Sequence, residues 1–317
     1  GLDYIQNAEY KFDLIDRAVK IDSNFGDAWS VRGGQANFLS RSGIESKKYR
    51  SIAEESHSKA IELSPNSLAI INRSAGYFAE SGNVEKSTEM LLNGMRNSGG
   101  SVASLYSSMG YILRYAGLME ESIGVYRKSL TLDNTELTRE RRLLQSAKSY
   151  IYQQRYSEAK DLFNTAIKVI KKHNKAIPDH LFYQAMPYIY LNQNDKASLY
   201  LDDMFEIDDK GAWVFIGQAY NWLLKRDLDK GKEYVDKLEE MGITDSEMKY
   251  RFAHFYIMLN DEAKALSALE EAVDSGFFCY SYIQSDPLTK PIHNNPKFKQ
   301  IVEKAKLRHE LYVKRFG

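Results

Sequence analysis

The chain has 317 residues, of which 43% are hydrophobic and 12% aromatic, with only 6 prolines. This composition supports a large buried core and excludes an intrinsically disordered chain. Basic and acidic residues number 43 each, so the balanced charge argues against nucleic acid as a partner of this domain.

Cysteine usage and hydropathy exclude further classes. Cys279 is the only cysteine, which rules out an internal disulfide and any zinc site with two thiolate ligands. No run of about 18 apolar residues is present, so no membrane span is expected. A reducing, cytoplasmic location fits this usage, and a periplasmic location stays open.

Small residues recur along the chain with a period close to 34 residues. Successive members lie 34, 35, 37, 38, 34 and 34 residues apart in the series Ala53, Ser87, Ser122, Ala159, Ala197, Gly231 and Ala265. A second series precedes each of these except the first by twelve residues: Gly33, Ala75, Gly110, Ala147, Ala185, Ala219 and Ala253. Paired small residues let two antiparallel helices cross closely, which predicts tandem helix-turn-helix repeats and an all-α fold.

In chain order, residues 1–25 are predicted to form the second helix of a repeat whose first helix is absent or degenerate. Either Leu2 to Gln6 folds back over it, or a preceding module covers it. Seven helix pairs are predicted over 26–276, at 26–67, 68–102, 103–136, 140–173, 178–211, 212–245 and 246–276. Residues 277–317 predict a C-terminal cap whose last helix begins with Asn295 as N-cap and Pro296 as its first residue, all in one continuous domain.

The pairs resemble the tetratricopeptide repeat. The first complete unit carries the pattern at Trp29, Gly33, Ala36, Ala53, His57, Ala60 and Pro65, and the last at Lys249, Ala253, Tyr256, Ala265, Leu269 and Ala272. The resemblance implies an α-solenoid, a right-handed superhelix of tandem repeats. His57 is expected to be a hydrogen-bonded core histidine.

Both ends resemble the C-terminal repeat regions of multidomain bacterial signalling proteins. Near the start, the resemblance lies in residues 21–25 and in the Asp27-Ala28-Trp29 that follows them. Near the end, it lies in Asp286-Pro287-Leu288 with Pro291, Pro296 and Phe298. Such proteins carry a Ser/Thr kinase, a class III nucleotide cyclase or a winged-helix regulator upstream. The pattern departs at Ser23, where proline is usual, and at Lys249, where a large apolar residue is usual.

A search for reaction chemistry gives no catalytic residues, no cofactor and no metal site. The glycine pairs lack the following Lys-Ser/Thr of a phosphate loop. His173, Asp179 and His180 cluster at a predicted loop, but their spacing is not a recognised ligand signature. We therefore expect no enzyme activity.

The concave face remains as the candidate site, since first helices of such arrays line it. Helical phasing places there an aromatic surface with a basic middle, which suits protein or peptide recognition. Its residues are Asn72, Tyr111, Arg114, Tyr115, Arg141, Lys148, Tyr152, Phe182, Met186, Tyr190, Trp213, Tyr220, Tyr250 and His254. The alternative is that several of them pack between neighbouring first helices.

Two functions stay open. The first is a non-catalytic interaction scaffold, the regulatory portion of a larger bacterial signalling protein, whose ligand is a protein, a peptide or an upstream domain of the same polypeptide. The second is a peptide-sensing receptor domain of a transcriptional regulator, in which groove asparagines such as Asn37 and Asn72 bind the ligand backbone.

Overall fold

The computed structural model describes residues 2–41, 44–100, 102–172, 178–206 and 211–317. These residues form helices and no β-strand, which confirms the predicted all-α solenoid. In chain order the helices are α1 (Leu2–Ile21), α2 (Gly26–Arg41), α3 (Ser46–Leu63), α4 (Leu68–Glu80), α5 (Val84–Asn97), α6 (Ala103–Tyr115), α7 (Met119–Leu132), α8 (Glu136–Tyr152), α9 (Tyr156–Lys172), α10 (Pro178–Tyr190), α11 (Asn194–Asp202), α12 (Ala212–Leu224), α13 (Leu228–Glu240), α14 (Ser246–Met258), α15 (Glu262–Asp274), α16 (Tyr280–Ser285) and α17 (Pro296–Phe316).

Helices α2 to α15 form seven consecutive pairs, and α1 packs on α2. Residues Leu2 to Gln6 belong to α1, so the first of the two alternatives, that they fold back over this helix, is wrong. Asn295 does cap α17, because its side chain accepts a hydrogen bond from the Lys297 amide at 2.7 Å. The division into a partial repeat, seven pairs and a cap stays a prediction.

The two series of small residues mark close helix crossings. At the crossing of α6 and α7, a Cβ built on Gly110 would lie 2.6 Å from a ring carbon of Tyr126. The hydroxyl group of Ser122 donates to the carbonyl of Gly110 at 2.7 Å across the same crossing. The small residues therefore allow the backbones to approach, as the spacing predicts.

The turns inside pairs use residues that tolerate a positive φ. Gly117 ends the α6 turn at φ 85°, and Asn192 ends the α10 turn at φ 54°. Both conformations close the helix with a local backbone hydrogen bond: the amide of Gly117 donates to Arg114, and that of Asn192 to Ile189.

His57 is a core histidine, as expected. It is buried in α3, its Nδ1 lies 3.0 Å from the Ser74 hydroxyl, and its ring stacks on Tyr77 with centroids 4.7 Å apart. Burial, with a smaller contribution from the charge of Arg73, lowers the pKa of His57 to about 4.

The array closes on itself through its C-terminal end. Helix α17 packs on α15 and reaches back to α5, where Arg308 pairs with Glu85 at 3.1 Å and the Tyr312 hydroxyl bonds Thr88 at 2.7 Å. A second contact joins the start of α3 to the end of α13, because the Ser46 hydroxyl donates to the Met241 carbonyl at 2.8 Å. The concave faces of early and late pairs are consequently brought together.

Gly110→Ala should destabilise the protein by about 1 to 3 kcal/mol, since its methyl group overlaps the ring of Tyr126. Gly124→Ala, at an exposed position of α7 with nothing within 4 Å of the added Cβ, should stabilise it by about 0.5 to 1 kcal/mol through helix propensity. Urea unfolding measures both. Equal effects of the two variants would contradict the crossing.

Stability should also fall on mild acidification because of His57. In the unfolded chain the imidazole takes up a proton below its ordinary pKa of 6.5, whereas the folded form resists protonation until about pH 4. The stability is therefore complete above pH 6.5 and declines as pH falls through this window. Between about pH 7 and pH 5, the wild type should lose roughly 2 kcal/mol more than His57→Gln in urea unfolding. Identical losses would show that His57 does not resist protonation.

Candidate interaction surface

The predicted concave residues all lie on first helices, and most are interior. Arg141 is exposed, while Asn72, Tyr111 and Trp213 are half-buried. The buried ones are Arg114, Tyr115, Lys148, Tyr152, Phe182, Met186, Tyr190, Tyr220, Tyr250 and His254. The buried residues therefore pack between helices, as in the alternative interpretation. The binding role of the face stays a prediction.

A buried ion pair joins α6 to α14. Arg114 donates from Nε and Nη2 to the two carboxylate oxygens of Glu247 at 3.0 and 3.1 Å, with both side chains at most 3% exposed. The bidentate geometry satisfies both carboxylate oxygens at once. Tyr152 on α8 adds a third hydrogen bond to Glu247, at 2.6 Å.

Asp245 makes a second contact between these elements. It is the N-cap of α14, since its side chain accepts from the Met248 amide at 2.8 Å. Its other oxygen accepts from the Tyr115 hydroxyl at 2.9 Å and from the Tyr111 hydroxyl at 3.1 Å. One carboxylate therefore both starts α14 and holds it on α6.

Arg251 is surrounded by tyrosine hydroxyl groups. It donates to Tyr152 at 2.6 Å and to Tyr282 at 3.0 Å, with a longer contact of 3.4 Å to Tyr190. We call the residues that join α6 and α8 to α14 the closure cluster: Arg114, Tyr115, Lys148, Tyr152, Asp245, Glu247 and Arg251.

A buried hydrogen-bonded chain extends from α12 to the C-terminal segment. Asp286 accepts from Tyr250 at 2.9 Å and from His254 Nε2 at 2.8 Å, while His254 Nδ1 bonds the Tyr220 hydroxyl. Burial lowers the pKa of His254 in spite of the opposing effect of Asp286. The neutral imidazole can then donate to Asp286 and accept from Tyr220.

The charges of the closure cluster titrate unequally. Burial raises the pKa of Glu247, but Arg114 and Lys148 outweigh it and lower the value to about 2. Burial lowers the pKa of Lys148 to about 7, although Glu247 opposes this. Glu247 stabilises the charged form of Lys148 only weakly, because Arg114 already neutralises Glu247 and the Lys148 nitrogen lies 3.8 Å from the Glu247 carboxylate.

Aromatic rings form the wall beside Lys148. Its ammonium group lies 3.9 Å from the Tyr183 ring centroid and 5.1 Å from that of Trp213. Phe182 packs on Trp213 and Tyr220, with centroids 5.6 and 5.3 Å away. Trp213 is thus the partly accessible edge of an otherwise buried aromatic layer.

Sequence phasing missed four charged residues of this surface. Asp245, Glu247, Arg251 and Asp286 hold the predicted aromatic and basic residues in place. The available signal was the pair of charges on α14, where Glu247 and Arg251 are one turn apart on a helix that is otherwise rich in aromatics.

A cavity of about 670 Å³ between α5, α6, α7 and α17 is lined by Leu92, Met95, Leu113, Val313 and Phe316, among others. Within the described ranges no group of His, Cys, Asp or Glu is arranged to hold a metal ion, and His173 lies outside them. No described helix is long and apolar enough to cross a membrane.

Glu247→Gln should cost about 3 to 5 kcal/mol in urea unfolding, because it leaves the Arg114 guanidinium buried without its counter-charge. The matched control is Glu271→Gln, whose partner is Lys249 and whose side chain is 62% exposed. That change should cost no more than about 1 kcal/mol. Similar losses in both variants would mean that the buried pair does not hold α14 on α6.

Comparison with known proteins bears on the fold. No family model and no curated protein matches the chain. The fold is similar to the APC/C hetero-tetramer Cut9–Hcn1, with TM-score 0.58 and 13% identity over 95% of this chain and 58% of that one. A Rap protein complexed with Competence and Sporulation Factor gives TM-score 0.52 and 13% identity over 92% and 97%. A tetratricopeptide repeat protein from Parabacteroides merdae gives 0.48 and 13% over 86% and 98%.

The chain therefore spans little more than half of the Cut9–Hcn1 chain that it matches. These identities bear on the fold alone. Together with the 34-residue period and the close helix crossings, they show that the chain is an all-α solenoid with the tetratricopeptide repeat fold.

Proposed function

We propose that the chain is a non-catalytic protein or peptide interaction scaffold, the regulatory portion of a larger bacterial signalling protein, and that it binds through its concave face. The observation that carries the proposal is the convergence of aromatic and charged side chains from α6, α8, α10, α12 and α14 on one surface. Tyrosine, tryptophan and arginine dominate binding energies at protein interfaces, since they combine large contact area with directed hydrogen bonds.

The accessible edge of this face is where a partner would make first contact. The Arg141 side chain is 58% exposed and pairs with Asp179 at 3.2 Å. Trp213 is half-buried against Phe182 and Tyr183, which fix its orientation. A ring whose orientation is already fixed loses little entropy on binding.

The peptide-sensing alternative has less support. It requires free amide side chains to bind a ligand backbone, but Asn37 donates to Glu80 at 3.1 Å and Asn72 accepts from Ser108 at 2.8 Å. The similarity to a Rap protein complexed with Competence and Sporulation Factor concerns the fold. We therefore favour the scaffold.

The test selects peptides from a displayed random library on the immobilised chain. Combined Trp213→Ala and Arg141→Glu should weaken the enriched peptides by more than about 2 kcal/mol, roughly thirtyfold in Kd. The matched control combines Trp29→Ala with Lys128→Glu, which changes a half-buried tryptophan on α2 and an exposed cation on α7. This variant should bind as the wild type does.

Fluorescence anisotropy with each purified variant measures the affinities, and circular dichroism checks helicity. The concave site would be refuted by peptides that bind both double variants equally, or by a library that yields no binder at all.

A further inference from the structure

A segment of the chain itself occupies the concave face. Residues 277–286, which we call the plug, leave α15, enter the interior and include α16. Phe277, Tyr282 and Asp286 are at most 2% exposed, whereas Tyr280 in the same segment is half-buried. The plug therefore buries Phe277, Tyr282 and Asp286 in the interior.

Two aromatic residues of the plug, Phe277 and Tyr282, contact predicted binding residues. The Tyr282 ring stacks on Tyr152 with centroids 4.0 Å apart at 17°, and its hydroxyl accepts from Arg251 at 3.0 Å. The Phe277 ring lies edge-on to Tyr115 at 5.7 Å and packs on Tyr250 at 5.2 Å. Four aromatic or basic groups thus surround two plug side chains.

The plug carboxylate and backbone are bound as well. Asp286 accepts from Tyr250 and His254, at 2.9 and 2.8 Å. The Phe278 amide donates to the Tyr115 carbonyl at 3.0 Å, and the Ser285 carbonyl accepts from Gln154 at 2.9 Å. Side-chain pockets combined with backbone hydrogen bonds are how proteins bind short peptides.

The host surface has a donor that the plug leaves unused. Arg251 Nε is buried and, within the described part of the chain, has no hydrogen-bond partner. A buried donor without a partner costs about 1 to 3 kcal/mol. A peptide with an acceptor within reach of Arg251 Nε would recover this cost.

Release of the plug need not unfold the array. Phe278 points the other way, toward α17, where it packs on Tyr312 at 5.9 Å and under Arg308 at 4.4 Å. Helix α17 is held separately on α5 by the pair of Arg308 and Glu85. The plug is thus tethered at both ends to packed helices.

We propose that the concave face is a site for a partner peptide with an aromatic residue, a tyrosine five positions later and a carboxylate nine positions from the first, and that the plug is its intramolecular competitor. This inference rests on the proposed function. The spacing is that of Phe277, Tyr282 and Asp286. The competitor lowers the apparent affinity for a partner by the fraction of molecules in which the face is open.

The test adds the plug sequence in trans to the full chain. The probe is a fluorescein-labelled peptide of residues 276–287 with Cys279→Ser, followed by anisotropy. Tyr282→Ala in the full chain removes contacts that hold the plug on the concave face. The full chain with this substitution should therefore bind the probe at least tenfold more tightly than the wild type. The matched control is Tyr280→Ala, which changes a tyrosine of the plug that packs on His309 rather than on the concave face. It should behave as the wild type does.

A second peptide with Phe277→Ala and Tyr282→Ala should not bind any of the variants. If circular dichroism shows Tyr282→Ala to be unfolded, Tyr282→Phe takes its place, since it keeps the ring on Tyr152 and loses only the hydroxyl contacts. It should show the same order of affinities.

The proposal is overturned if the folded variant and the wild type bind the probe equally, or if the substituted peptide binds as well as the probe. It is also overturned if Tyr282→Ala becomes a dimer that excludes the probe, because a second copy is then the occupant. A different outcome is that library peptides lose affinity on substitution of Trp213 and Arg141 and yet bind Tyr282→Ala and the wild type equally. That result would support the proposed function and show that the plug is not a competitor. A library without binders on either the wild type or Tyr282→Ala would remove the proposed function itself.

Discussion

The ion pair of Arg114 and Glu247 is the contact on which the arrangement of the concave face depends. It joins residues 133 positions apart, in the third and the seventh helix pairs. Removing two charges from water costs several kcal/mol for each, and only the full set of partners recovers it. The pair adds little net stability for that reason, yet it admits a single register of α14 on α6. The hydrogen bonds of Asp245 and Tyr152 follow from that register.

Local structure could be predicted because local physics specifies it. Gly110 and Ser122 show where two helices must cross, since a larger residue would meet Tyr126, and Gly117 shows where a helix must stop. A 34-residue period reports contacts between neighbouring repeats. It carries no information on how tightly the superhelix winds, and the meeting of α6 with α14 depends on that winding. The contact between α6 and α14 could therefore not be predicted from the repeat pattern.

The sequence predicts which residues form the candidate face, but it does not predict that the plug occupies this face. Helical phasing depends only on the direction of a side chain from its helix, so Tyr115, Tyr152 and Tyr250 could be assigned to one face of their first helices. Their occupant follows them in sequence by 27 residues or more and carries no repeat pattern. Asp286 belongs to a terminal sequence motif, but its role as the acceptor for Tyr250 and His254 depends on the contact of the C-terminal segment with α14.

The chemistry of the interior bears on whether the face serves only as a core. Apolar residues of similar volume would fill it at lower cost than buried ions, which are often no better than neutral for stability. Tyr183 Oη and Arg251 Nε are buried, and neither has a hydrogen-bond partner among the described residues. A surface selected only to pack against the plug would not need these groups. A surface that exchanges the plug for another peptide would need them, because buried polar groups give selectivity between two occupants of similar shape.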